Sequence, residues 1–235
     1  MRIRVLVMAR KLFIILALIS LATAIQAQEE KALKRVVTLS GGIANSEAWE
    51  IEPSITYFLC PYLGGTLGFT ITKQYNSPVS GGTLMGNSNL RWSINDDYAN
   101  IINILFRPAI TLQTPIAWLN KDRDTGLSFK VEPGLYMALS QNDNLPIEYR
   151  DKSRGYALVD IKNVSNTNGN WLFWNVTSAV SLHVDQFILS AGYRVSNFDI
   201  YSTRRNIIID NTRLNTKLPK RVLTHSVFLA IGYQF

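Results

Sequence analysis

Residues 127–139 alternate strictly. Leu127, Phe129, Val131, Pro133, Leu135, Met137 and Leu139 fall on one parity; Ser128, Lys130, Glu132, Gly134, Tyr136 and Ala138 fall on the other. A period of two places side chains on opposite faces of an extended chain, so this is a strand with two unlike faces. Residues 101–112 repeat the pattern, with Ile102, Ile104, Phe106, Pro108, Ile110 and Leu112 against Asn103, Leu105, Arg107, Ala109 and Thr111. So do residues 50–60, with Ile51, Pro53, Ile55, Tyr57 and Leu59 against Glu50, Glu52, Ser54, Thr56, Phe58 and Cys60. Weaker copies lie at about 36–43, 64–72, 171–184, 187–198 and 224–235, which makes about eight strands. The connections Cys60 to Gly64 and His183 to Gln186 are tight, whereas 73–99, 140–170 and 199–222 are long and polar. Short turns at one rim and long loops at the other are the asymmetry of an outer-membrane barrel. Two connections depart from it: an upper loop near Asn45 to Trp49 is short, and Thr114 to Gly126 makes a longish lower turn.

The two parities decide between a soluble β fold and a membrane barrel. A water-soluble barrel or sandwich buries its apolar parity and wets the other. Here the apolar parity is uniformly large, and the opposite parity is rich in Gly, Ala, Ser and Thr. The bore of a barrel this small is narrow and takes side chains but little else, so the bulky parity belongs outside, against lipid. Trp49, Tyr62, Trp171, Trp174, Tyr193, Tyr201 and Tyr233 fall near the strand ends, where interfacial aromatics collect. The expected fold class is all-β, a transmembrane antiparallel up-and-down β-barrel of about eight strands over residues 35–235.

The amino terminus sets the compartment. Arg2, Arg4, Arg10 and Lys11 precede the apolar stretch Leu12 to Leu21, and small residues follow to Ala27. This is the form of a secretory signal peptide, expected over 1–27 and cleaved after Ala24 or Ala27, with 28–34 a short periplasmic segment. The apolar core falls well short of the roughly 18 residues that a spanning helix needs. The leader carries four of the 24 basic residues and none of the 17 acidic ones, so the mature excess is only about +3. That is too mild to indicate a nucleic-acid partner. Cys60, the single cysteine, has no internal disulfide partner and reads as a packing residue.

The last strand, His225 to Phe235, sets Val227, Leu229, Ile231, Tyr233 and Phe235 on one face. It resembles the carboxy-terminal targeting strand of bacterial outer-membrane proteins. The run Ile51 to Phe69, a proline-bearing strand ending in Tyr57-Phe58 and a short turn leading to Leu63-Gly64, is similar to the strand–turn–strand segment of small porin-family barrels. The wider likeness is to OmpA/OmpX-type barrels and covers roughly 35–235. It implies an outer-membrane location in a Gram-negative-type cell envelope, contact with outer-membrane lipid and lipopolysaccharide, and insertion by the barrel assembly machinery. The peptidoglycan-binding module of full-length OmpA-type proteins is not expected after Phe235.

Two groups of residues could carry function. Glu52, Arg107, Lys130, Glu132 and Arg194 lie on the polar parity well inside the span. Unpaired charges in a narrow bore are costly, so they are expected to pair, Arg107 with Glu132 on neighbouring strands and Arg194 with Glu52 across the lumen. Such a network is either a static filling or a gate. Arg204, Arg205, Arg213, Lys217, Lys220 and Arg221 make the last long loop basic, a candidate contact for lipopolysaccharide phosphates. No catalytic apparatus is expected. His183 stands beside Asp185, and His225 precedes Ser226, whose side chain points to the opposite face. Two isolated histidines make a poor metal site, so neither metal nor cofactor is expected. The reading is a porin-like barrel with a structural, limited passive-transport or envelope-integrity role. The alternatives are an interaction or adhesion protein working through its loops, and a lipid A-modifying enzyme.

Overall fold

The computed structural model describes residues 34–139, 143–166, 169–214, 217–219 and 222–235; the expected leader, and Lys220 and Arg221, lie outside them. Eight long strands form the barrel: β1 Arg35–Ala44, β2 Ala48–Cys60, β3 Leu63–Gln74, β4 Ile102–Gln113, β5 Thr125–Ala138, β6 Leu172–Val184, β7 Phe187–Ser196 and β8 Thr224–Gln234. Each pairs antiparallel with its neighbour in sequence, and β8 returns to β1, from Val36 opposite Gln234 to Ala44 opposite Ser226. Closure leaves the cylinder without a free sheet edge, the condition for β-structure in hydrocarbon. At the seam, Arg35 and Phe235 exchange two 3.0 Å backbone hydrogen bonds.

Parity places the side chains. Leu39, Ile55, Leu67, Ile110, Phe129, Val180, Leu189 and Leu229 are exposed on the outer wall, while Thr56, Thr66, Thr111, Thr177, Ser181 and Ser190 are buried inside. An apolar wall around a hydroxyl-lined bore is the arrangement of a transmembrane barrel of the outer-membrane kind. No helix among the described residues is long and apolar enough to cross a membrane. Trp171, Trp174, Tyr193 and Tyr233 are exposed, and Phe187 packs edge-on to Tyr233 with centroids 5.5 Å apart. Tyr201 corrects the expected set of interfacial aromatics. It is buried and accepts a hydrogen bond from Gln74 Nε2 at 3.0 Å. Inside the wall, a Cβ on Gly192 would run into the Phe228 ring, so glycine there makes room for a bulky inward aromatic.

The two expected departures in connection length are present. β1 and β2 are joined through Asn45–Glu47 alone, with Glu47 at φ 57°. The 114–124 connection carries a short strand, Ala117–Trp118, paired to β5. The long loops, in contrast, are not simply polar connections. Strands Gly81–Leu84 and Asn87–Ile94 from the β3–β4 loop join Asn144–Asp151 and Ala157–Ser165 from the β5–β6 loop in a second, four-stranded antiparallel sheet. Trp92, Ile94, Leu145 and Ile147 on this sheet pack with Phe198, Ile200, Ile207, Ile209, Leu214 and Leu218 from the β7–β8 loop. The same cluster includes Leu105, Tyr136 and Phe173, the inward residues near the upper strand ends. The three loops therefore form a cap with an apolar core that continues into the barrel mouth.

Candidate functional site

The bore is crossed by a belt of charges. Arg107 on β4 donates from Nε and Nη2 to Glu52 Oε1 at 3.0 and 2.7 Å, and from Nη2 to Glu132 Oε2 at 3.2 Å. Lys130 reaches Glu132 Oε1 at 3.1 Å, and Arg194 spans Glu50 and Glu52, 3.1 Å to each. Hydroxyls complete the carboxylates: Thr70 donates to Glu52, and Thr111 lies 3.4 Å from Glu132. The structure thus brings together all five residues that the polar parity singles out. It adds Glu50, which sequence reasoning left aside although it shares the parity of Glu52. With Glu50 included, three carboxylates face three cations and the belt is formally neutral. Arg107 is only 2% exposed, so the pairs sit where an uncompensated charge would be severely penalised. The belt fits because of small neighbours: a Cβ on Gly68 would crowd the Glu52 carboxyl at 3.2 Å. The Arg194 guanidinium also lies 5.3 Å from the Phe228 ring centre and 6.0 Å from that of Tyr136.

Below the belt the bore is narrow and lined by hydroxyls. Thr56, Thr66 and Thr111 form a chain of 2.7 and 2.5 Å contacts, and Ser181 meets Ser190 at 2.8 Å. Ser128 Oγ lies 2.8 Å from His183 Nε2. The cleft bounded by Thr38, Thr56, Thr111, Lys130, Ser181 and His183 has about 20 Å³ of room, enough for a water molecule. His225 is on the outer wall, where Nδ1 meets the Tyr193 hydroxyl at 2.5 Å. Among the described residues no group of three His, Cys, Asp or Glu side chains could hold a metal ion.

Above the belt the cap seals the mouth. Phe198 packs edge-on against Phe173 and Tyr136, with centroids 5.2 and 6.1 Å apart, and its carbonyl accepts from Thr224 Oγ1 at 2.7 Å. Arg204 corrects the expectation of a solvent-facing basic loop. It is buried and donates to Asp143 Oδ2 at 2.7 Å, Ala99 O at 2.9 Å and Tyr98 O at 2.6 Å, so one guanidinium ties three loops. Arg205 turns to Asp199 and to Pro219 O, again within the loop. Arg213 and Lys217 are exposed, with Lys217 Nζ 5.1 Å from the Trp92 ring centre. Arg204→Ala leaves the Asp143 carboxylate and two carbonyls without that donor. It is expected to raise the rate at which trypsin or proteinase K cuts the cap of the folded, reconstituted protein by about tenfold or more. An unchanged cleavage rate would show that the clamp does not hold the loops.

On the last strand, Val227, Leu229, Ile231, Tyr233 and Phe235 all lie exposed on the outer wall. No protein-family model and no curated protein matches the sequence. Among solved structures, the chain is similar to a major outer membrane protein from Thermus thermophilus, at 10% identity and a TM-score of 0.46, with 87% of this chain and 100% of that chain covered. It is also similar to Neisserial surface protein A, at 12% identity and 0.42 over 86% and 97%. A third is the N-terminal β-barrel domain of Pseudomonas aeruginosa OprF, at 8% identity and 0.40 over 86% and 97%. The barrel itself is established by its own closed strand pairing.

Proposed function

We propose that this outer-membrane barrel is a closed structural element of the envelope that presents a folded cap for interaction, rather than a pore for solutes. One observation carries the reading: the bore is filled by the neutral charge belt and covered separately by the apolar core of the cap. An ion entering from either side would have to displace paired charges and part a packed apolar cluster. Purified protein in planar bilayers is therefore expected to insert without adding conductance. Reproducible ion-conducting steps from the intact chain would sink this reading and favour limited passive transport.

The sequence alternatives rank behind it for stated reasons. Lipopolysaccharide contact through the last loop is weakened because Arg204 and Arg205 direct their donors inside the cap. A hydrolytic role for Ser128 and His183 fits poorly. Acyl transfer needs donors aimed at a developing oxyanion, but Ser128 and His183 lie within paired strands and the neighbouring Phe129 N–H donates to Thr114 Oγ1 at 3.0 Å. Both residues also face the bore, away from the lipid in which a lipid A substrate would sit.

A further inference from the structure

The cap sheet has one long free edge. Its strands run in the order Ala157–Ser165, Asn144–Asp151, Asn87–Ile94, Gly81–Leu84, so the nine-residue strand 157–165 is hydrogen-bonded on one side only. Apart from Val164 the whole strand is exposed, including Leu158, Val159 and Ile161 at 50, 55 and 53%. These apolar groups belong to the separate cap sheet and not to the eight-stranded barrel wall. An unpaired edge bearing apolar side chains is a template for another strand.

We propose that this edge takes the same strand of a second copy of the chain, antiparallel and centred on Ile161. The charge pattern selects both occupant and register. With Ile161 opposite itself, Asp160 lies opposite Lys162 of the second copy, and Lys162 opposite its Asp160, so two opposite-charge pairs form about the two-fold axis. Centring the pair on residue 160 sets Asp160 against itself, and centring it on 162 sets Lys162 against itself. A lysine on an edge ordinarily repels a like strand. Here Asp160, on the same face and 3.7 Å from Lys162 within one chain, turns that guard into an attraction in one register; its Oδ1 also accepts the Ile161 N–H at 2.8 Å, an intrachain bond that pairing would exchange for contacts to the second copy. The irregularity between Leu158 and Asp160 occurs in each copy and so bounds the Asp160–Lys162 core on both sides, outside the two charge pairs. Nothing in this pairing depends on whether the bore conducts.

The test uses the full chain in mild detergent, with Cys60→Ser to remove the native thiol. Directly opposed residues of antiparallel strands have Cα atoms about 4.5–5.5 Å apart, within disulfide reach. Ile161→Cys is therefore expected to oxidise to a covalent dimer, whereas Thr83→Cys, on the opposite edge of the sheet, stays monomeric. Sedimentation should find the unmodified protein dimeric. Asp160→Lys should weaken the dimer about tenfold or more, and the swap Asp160→Lys with Lys162→Asp should restore it. Heat-modifiable migration checks that each variant is folded. A monomeric parent protein, equal cross-linking at 161 and 83, or equal dimerisation of the single variant and the swap would each overturn the proposal.

Discussion

Replacing Arg107 by Ala will lower the unfolding free energy of the reconstituted barrel by about 3–5 kcal/mol, the range for removing one member of a buried ion network. Arg107 bridges Glu52 and Glu132, and it is almost fully enclosed. Its loss leaves three carboxylates facing two cations. Glu52 keeps Arg194 and Thr70, and Glu132 keeps Lys130, so the belt is strained rather than dismantled. The second half of the expectation is compensation. Arg107→Met combined with Glu132→Gln returns the belt to two charges of each sign and should recover a substantial part of the loss, a coupling that a double-mutant cycle reads directly. Denaturant unfolding in liposomes, followed by heat-modifiable migration, measures both. A loss below about 1 kcal/mol for Arg107→Ala would mean that water reaches the belt and that these pairs behave as surface ones.

Conductance should appear only when both closures are removed. Exchanging residues 199–222 for a short Gly–Ser linker takes away Ile200, Tyr201, Ile207, Ile209, Leu214 and Leu218, and with them much of the apolar seal over the mouth. The belt still fills the bore, so this variant is expected to stay silent in planar bilayers. Arg107→Ala with Glu132→Ala opens the belt but leaves the cap, and it too should be silent. The combined variant is expected to conduct, with a large, strongly non-additive gain. Current from the loop exchange alone would show that the belt is no barrier, and current from the belt variant alone would show the same of the cap.

Together these outcomes bear on why a small barrel keeps charges in its interior. Hydrophobic filling of similar volume is often as stable as a buried ion pair. The belt, however, bonds β2 to β3, β4 and β7, and β4 to β5, through side chains, adding cross-bore links that apolar packing would not direct. The Arg204 clamp works the same way at the rim, where three loops meet at one guanidinium.

What the chain's residue order determined by itself is the barrel. A two-residue period is a local property of extended backbone, so Leu127 to Leu139 declared both its strand and its lipid face without reference to anything distant. The charges Glu52, Arg107, Lys130, Glu132 and Arg194 were placed on the inner face by the same count. Glu50 was equally visible by parity, but that it completes a neutral belt depends on how β7 and β2 face each other across the bore, which no local pattern states. The cap was decided by tertiary structure alone. Leu90 to Ile94 and Asn144 to Asp151 are each too short and too mixed to announce a sheet; they form one because the barrel holds their loops side by side, over 50 residues apart in sequence. Arg204 reads as one more cation of a basic run, and becomes a buried clamp because Tyr98, Ala99 and Asp143 are delivered to it by other loops. Strand periodicity is written residue by residue, whereas the meeting of distant loops is written only in the closed cylinder that carries them.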